Sequence, residues 1–267
     1  MPIPDRYPRR IERRHQKRLR AYVAAFVPIV RSEFIARLPE MYLQPVSDSE
    51  GSPVVDDLVV FSEALGELRL KWGEDIATQE HIEETCAMTA AELDAFNARS
   101  AARSLRSVGI KGVITPQMAA LLPGWVEEHT ALIVRGGLWR GIPVTPLGEK
   151  TISQIGDVAL NGFVKGLRHE EVADEIEKRL GVMRSRANLI ARDQTNKLNG
   201  KMTENRYIDA GIIRYTWQTS RDERVRETHA ELENTEWDFR NPPAIGNPGT
   251  PISCRCVAEP VRPKRGQ

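Results

Sequence analysis

Cysteine is scarce: the chain has three in 267 residues, and two of them, Cys254 and Cys256, stand one residue apart. Three thiols cannot build a disulfide framework, so the fold must rest on burial, and the thiols point to a reducing compartment or to a metal. Long apolar runs are missing as well. The nearest candidate, 21–30, contains Pro28 and falls well short of the roughly 18 residues that a membrane span needs, so no span is expected. The charged first residues are not followed by an apolar stretch and a small-residue cleavage site, and no secretory signal is read there. The sequence lacks a Walker-type phosphate loop and a Gly-x-Ser-x-Gly elbow, which removes nucleotide-driven motors and the common hydrolases. It also lacks repeats at solenoid spacing.

What is present is the composition of an ordinary globular protein, 40% hydrophobic and 28% charged, long enough for one large domain or two modest ones. The net charge of +1 hides a segregation. Residues 1–20 carry a net of +6 and residues 39–100 a net of −11, and the rest of the chain restores the balance. Seven cations, Arg9, Arg10, Arg13, Arg14, Lys17, Arg18 and Arg20, fall in twelve residues with one acid. Such a stretch suits a phosphate backbone read without sequence preference, an acidic protein partner, or a solvated helix face.

The apolar period sorts the chain into a helical N-terminal two-thirds and a compact α+β end. Ile11, Leu19, Tyr22, Val23, Phe26 and Val30 recur at helical steps beside the arginines, which predicts a helix over 9–38 with a kink at Pro28. A loop is expected over 43–53, and two helices over 54–71 and 74–108 separated at Trp72-Gly73. Thr115-Pro116 reads as the start of a further helix, with an interruption near Pro123-Gly124, and 136–148 as a linker-like turn region. Helices follow over 149–166, 168–180 with Gly181 as the stop, and 185–210. Strands are expected over 212–219, 237–239 and 254–257, with a short helix over 225–232. The fold class is therefore α+β with a small antiparallel sheet at the C-terminal end, divided into a basic helical arm (1–38), a helical region (39–140) and a C-terminal domain (141–267).

The densest chemistry lies in that last domain: Asp222, Arg224, Arg226, His229, Cys254, Arg255 and Cys256. If 254–256 is a strand, both sulfurs point to one side, thiolates with an imidazole are ligands that zinc prefers, and a carboxylate such as Asp222 or a water could complete the tetrahedron. The competing reading makes the cysteines reduced core residues and Asp222 the partner of Arg224, Arg226 or Arg255 in a polar network. His229-Ala230-Glu231 followed by Pro251 to Cys256 also partly fits a zinc deaminase signature, although the cysteine spacing is one residue short. A helix-turn-helix over 170–193, with Arg184, Arg186 and Arg192 toward phosphates, is a further alternative.

Ile190-Ala191-Arg192-Asp193-Gln194-Thr195-Asn196 through Asn199-Gly200, then Ala210-Gly211-Ile212, Tyr215-Thr216-Trp217, Thr219 to Arg226 with His229, and finally Cys254-Arg255-Cys256 form an ordered series. Over about 150–260 it resembles the head morphogenesis domain of tailed bacteriophages, the Mu F-like minor head proteins. The resemblance implies a non-enzymatic minor protein of the virion, made in the host cytoplasm and placed inside the capsid near the portal vertex. It implies the portal protein and packaged double-stranded DNA as partners, with major capsid or scaffolding protein as further candidates, and a part in head assembly and in genome packaging or ejection. Some relatives carry a Cys-x-x-Cys pair at the positions of Arg226 and His229, which with the terminal Cys-x-Cys looks like a zinc site. Here Arg226 replaces the first of those cysteines, and three soft ligands remain.

Overall fold

A computed structural model describes residues 7–42, 55–111, 118–139, 142–144 and 146–262, with 55–58, 119, 137–139 and 142–144 described by backbone alone. The expected loop at 43–53 and the expected helix start at Thr115-Pro116 lie outside these residues. Helix α1 spans Arg9–Ile29. Its buried face is Ile11, His15, Leu19, Val23 and Phe26, as the helical period requires, and the guanidiniums of Arg9, Arg10, Arg13 and Arg14 stay exposed. Pro28 does not stop the helical course. Buried Val30, Phe34 and Leu38, four residues apart, carry the chain through a π-helical turn (Val30–Phe34) and a 3-10 turn (Ile35–Arg37) into α2 (Leu38–Tyr42).

The break expected at Trp72-Gly73 is a π-helical turn (Lys71–Ile76) between α3 (Val55–Leu70) and α4 (Gln79–Ser107). Helix α5 (Met118–Val134) runs through Pro123 without interruption. The stretch read as a linker-like turn region contains a hairpin, β1 (Gly137–Trp139) with β2 (Ile142–Val144), in which Leu138 faces Pro143. Three-residue strands among glycines and prolines leave no period to read, and only pairing reveals them. Helix α6 spans Glu149–Val164.

The larger correction is α7, one helix of 41 residues from His169 to Asp209. Gly181 was expected to end it. Val172, Ile176, Leu180, Met183 and Ala187 keep their buried face through that point, and the roughly 1 kcal/mol that an exposed glycine costs in a helix is small beside five buried side chains. No turn exists at 181–184, so the helix-turn-helix reading fails. The domain end is a three-stranded antiparallel sheet, β4 (Glu236–Asp238), β3 (Arg214–Gln218) and β5 (Val257–Pro260), with β3 in the centre. Tyr215 pairs with Trp237 on one side, and Trp217 pairs with Ala258 on the other. A one-turn helix, α8 (Glu227–Ala230), lies between β3 and β4 in sequence.

The chain gathers into two compact units. One comprises Met1–Gln16, Thr85–Glu127 and Leu189–Gln267, and the other Lys17–Glu84 and Glu128–Asn188. In the second unit Phe26 meets Trp72 edge-on at 5.1 Å, Tyr42, Phe61 and Phe163 form a T-shaped aromatic trio, and the Tyr42 hydroxyl donates to the Ala159 carbonyl at 2.6 Å. The first unit packs Ala101, Leu105, Tyr207, Ile212, Tyr215, Trp217, Phe239, Cys254, Cys256 and Ala258 into one core. Tyr215 and Trp217 are completely buried, as alternation along β3 predicts. Arg206, almost wholly buried, reaches Asn97 and Asp94 on α4, and Asn97 donates to the Asn199 carboxamide at 2.9 Å. The Arg206 guanidinium and the Asn97 amide are thus paired inside the unit.

Candidate metal site and its cleft

The site lies in the first unit, and the local backbone that builds it begins on α7. Gly200 permits the approach of the 248–249 loop: a Cβ there would stand 2.5 Å from the Pro248 carbonyl oxygen. Gly249 has φ +87°, and a Cβ on it would meet the Asn196 carbonyl at 2.8 Å, so both positions require glycine. That approach delivers the Gly249 N–H to the Cys254 sulfur at 3.5 Å. One residue before the cysteine, Ser253 takes a left-handed conformation (φ +53°) that side chains other than glycine rarely adopt. Asp193 holds it there by accepting the Ser253 N–H at 2.9 Å, while Arg226 donates to the Ile252 carbonyl at 2.8 Å. Asp193 is in turn paired with Lys197 one helical turn on.

These ties correct the expected strand. Cys254 and Cys256 precede β5, in a turn clamped by Asp193 and Arg226, and it is the clamp that brings the sulfurs together. His229 of α8 completes the group. Its Nδ1 lies 3.4 Å from the Cys256 sulfur and 3.7 Å from the Cys254 sulfur, and the three donor atoms lie within 4.8 Å of one another, all on buried residues. In a tetrahedral zinc site with the usual bond lengths, neighbouring sulfur and nitrogen ligands stand about 3.5 Å apart and two sulfurs about 3.8 Å apart. The three donors and their spacing fit three corners of such a site and leave the fourth to a water. Hydrogen bonds from Cys256 first, and also from His229 and the Gly249 amide, draw the Cys254 thiol down to about 5 against the opposing effect of burial. Its neighbour sulfur and burial push Cys256 up. Trp217 walls the group, its ring edge-on to His229 with centroids 5.8 Å apart.

Asp222 is not one of the three donors. It binds Arg255 through both oxygens, at 2.7 Å for Nη2 to Oδ1, and accepts the Arg224 N–H at 3.1 Å. The Arg255 guanidinium holds this carboxylate below its ordinary range. The polar network and the three-donor cluster, alternatives in the sequence, are both formed and use different residues. Arg226 grips the turn that presents Cys254 through the Ile252 carbonyl.

The cluster lies at the wall of a cleft of about 610 Å³. Among its linings are Arg9, Glu12 and Arg13 of α1, Arg192 of α7, and Arg224, Arg226 and Arg255. Glu12 is buried and accepts from Tyr7 and from Arg192 at 3.2 Å, and this carboxylate, after burial, pushes the Tyr7 hydroxyl up. The basic arm therefore divides. Arg9 and Arg13 line the cleft, Arg10 is exposed, Arg14 pairs with Glu92 at 2.9 Å, and Lys17, Arg18 and Arg20 belong to the second unit. Glu231, the acid of the deaminase-like signature, does not line the cleft, and the cysteines are not at a helix start. Sequence reasoning missed Asp193, Gly200, Gly249 and Glu12. The first two stand inside the motif series and were open to notice, but the pairing of Asp193 with Ser253, sixty residues away, left no local trace.

A sheet backed by the end of a long helix, with a buried His-Cys-Cys group at its edge, is the class of unit that these residues define. Residues 153–259 match the family model described as Phage Mu protein F like protein, the family that the motif series resembles. An uncharacterized protein of Haemophilus influenzae is 38% identical over 119 residues, which cover 44% of this chain and 27% of that protein. An uncharacterized protein of Methanocaldococcus jannaschii is 33% identical over 110 residues, 41% of this chain and 17% of that protein. The chain thus spans less than a third of the length of either relative. No solved structure matches it. No described helix is long and apolar enough to cross a membrane.

Proposed function

We propose that this chain is a non-enzymatic minor protein of a tailed-phage head that acts in head assembly. The match of 153–259 to the Mu F-like family carries the reading. Its place is the capsid interior at the portal vertex, with the portal protein as main partner, major capsid or scaffolding protein as further ones, and packaged double-stranded DNA as the polyanion that its exposed cations meet during packaging or ejection. The segregated charge supports this, since an exposed basic face on α1 suits a phosphate backbone. Mass spectrometry of purified intact particles tests it: peptides of this chain at a few copies per particle are expected, and their absence from particles of a lysate that contains the protein refutes it.

Within that role, His229, Cys254 and Cys256 would hold one zinc ion, which when bound would cross-link the turn before β5 to α8. The protein's own contribution is to pre-form the site: Asp193 and Arg226 fix the turn, and the Gly249 amide steadies the Cys254 thiolate. Elemental analysis of protein purified without chelator should find about one equivalent of zinc, and none in a well-folded sample overturns the assignment.

A further inference from the structure

The cleft beside the cluster carries more positive charge than its own acids balance. Three of its arginines are already engaged: Arg192 with Glu12, Arg255 with Asp222, and Arg226 with the Ile252 carbonyl. Arg9 and Arg13 line it with no side-chain partner among the described residues, and Arg224 lines it beside Asp222, whose carboxylate is already committed to Arg255. Two thiolates would cancel the charge of a zinc ion, so a metal leaves this surplus unchanged. Six guanidiniums against Glu12, Asp222 and Glu223 in the lining make the cleft a site for an external anion, and the planar fork of a guanidinium matches phosphate oxygens.

The size selects among phosphate ligands. About 610 Å³ is the volume of a small-ligand pocket, room for roughly one or two nucleotides, whereas a duplex, wider than its own major groove of about 12 Å, cannot enter. Arg9 and Arg13 are one helical turn apart, close to the spacing of successive phosphates in an extended strand, and Arg224 comes from a different segment. Tyr7 lines the same cleft with its hydroxyl tied to Glu12, which fixes its ring. Cations along a groove with an aromatic ring in it are what unpaired strands use, phosphates on the cations and a base on the ring.

We propose that this cleft binds a short single-stranded stretch of nucleic acid, with its phosphates on Arg9, Arg13 and Arg224 and a base against Tyr7. The proposal deepens the head-protein reading and rests on it only for the source of the strand, an unpaired end of the packaged genome. The protein would then distinguish a strand end from the duplex that its exposed basic face meets.

Fluorescence anisotropy with an end-labelled pentathymidylate tests it on the full chain. The wild-type protein should bind the oligonucleotide, and an unlabelled blunt duplex at equal phosphate concentration should compete at least tenfold less well. The triple variant Arg9→Gln, Arg13→Gln, Arg224→Gln should lose at least tenfold in affinity, and the triple lysine variant should keep most of it, which separates charge from misfolding. Equal competition by the duplex, equal competition by an acidic peptide of the same charge, or wild-type binding by the glutamine variant would overturn the proposal. Absence of the protein from particles would refute the head-protein reading and leave this result untouched.

Discussion

Replacing Trp217 by alanine tests whether the sheet is the keystone of the first unit. The side chain is the largest among those completely buried, it sits mid-strand opposite Ala258, and its ring stands edge-on to His229. An indole buries about 150–250 Å², which at about 25 cal/mol per Å² is roughly 4–6 kcal/mol of transfer free energy. Alanine keeps a small part of it, and partial collapse of the cavity recovers a little more. The expected loss is therefore about 3–5 kcal/mol, the range measured when buried aromatic residues are truncated. With a urea dependence of about 2 kcal/mol per M, the unfolding midpoint should fall by roughly 1.5–2.5 M. Circular dichroism is the suitable readout, because the substitution itself removes one of the five tryptophans that fluorescence would follow. Trp217→Phe, which keeps an aromatic ring in the same place, should cost less than half as much. A midpoint shift below about 0.5 M for the alanine variant would refute the argument that β3 centres this core.

Cys254→Ser or Cys256→Ser should release about one equivalent of metal and destabilise the unit by several kcal/mol, because binding of a structural metal is coupled to folding, and metal content with thermal melting checks both at once. Gly200→Ala forces a Cβ to within 2.5 Å of the Pro248 carbonyl, so the loop must retreat; the variant should lose zinc affinity while α7 keeps its helical signal, and unchanged affinity would show that the loop does not position Cys254. Arg10→Gln with Lys17→Gln, both exposed, should weaken duplex binding and flatten its dependence on salt, as expected when two counterion-releasing contacts are removed. Asp222 has its folded-state pKa lowered by Arg255, so its contribution is complete above the unfolded value of about 4 and is lost as pH falls through the folded one. Acid titration of stability should therefore show a low-pH limb in the wild type that Asp222→Asn lacks.

Periodicity made legible whatever it could encode. The buried faces of α1 and α7 and the alternation of β3 follow from spacing alone, and so does the helical start with a small sheet at the end. What escaped had physical causes. Gly181 looks like a stop, but burial on both sides of it outweighs its propensity. The β1–β2 hairpin consists of three-residue strands with no measurable period. At the site, the sequence showed which residues bear chemistry, and the sulfurs and imidazole do meet, though through a clamped turn and not through a strand. Asp222 with Arg255 was among the pairings that charge alone allowed. Asp193 with Ser253, and the glycine contact of 200 with 249, depend on backbone approach, which no residue type announces.

The first unit draws on three separated stretches, and the site's neighbourhood combines α1 residues such as Glu12 with residues of the last third of the chain, such as Arg192. On a ribosome adding about 5–20 residues per second, the 172 residues from 17 to 188 take roughly ten to thirty seconds to make. Throughout that interval the buried face of residues 9–16 has no partner from 189–267 to cover it. Residues 9–16 can meet 85–127 earlier, through His15 with Thr89 and Arg14 with Glu92, but the unit cannot close until 189–267 has been made.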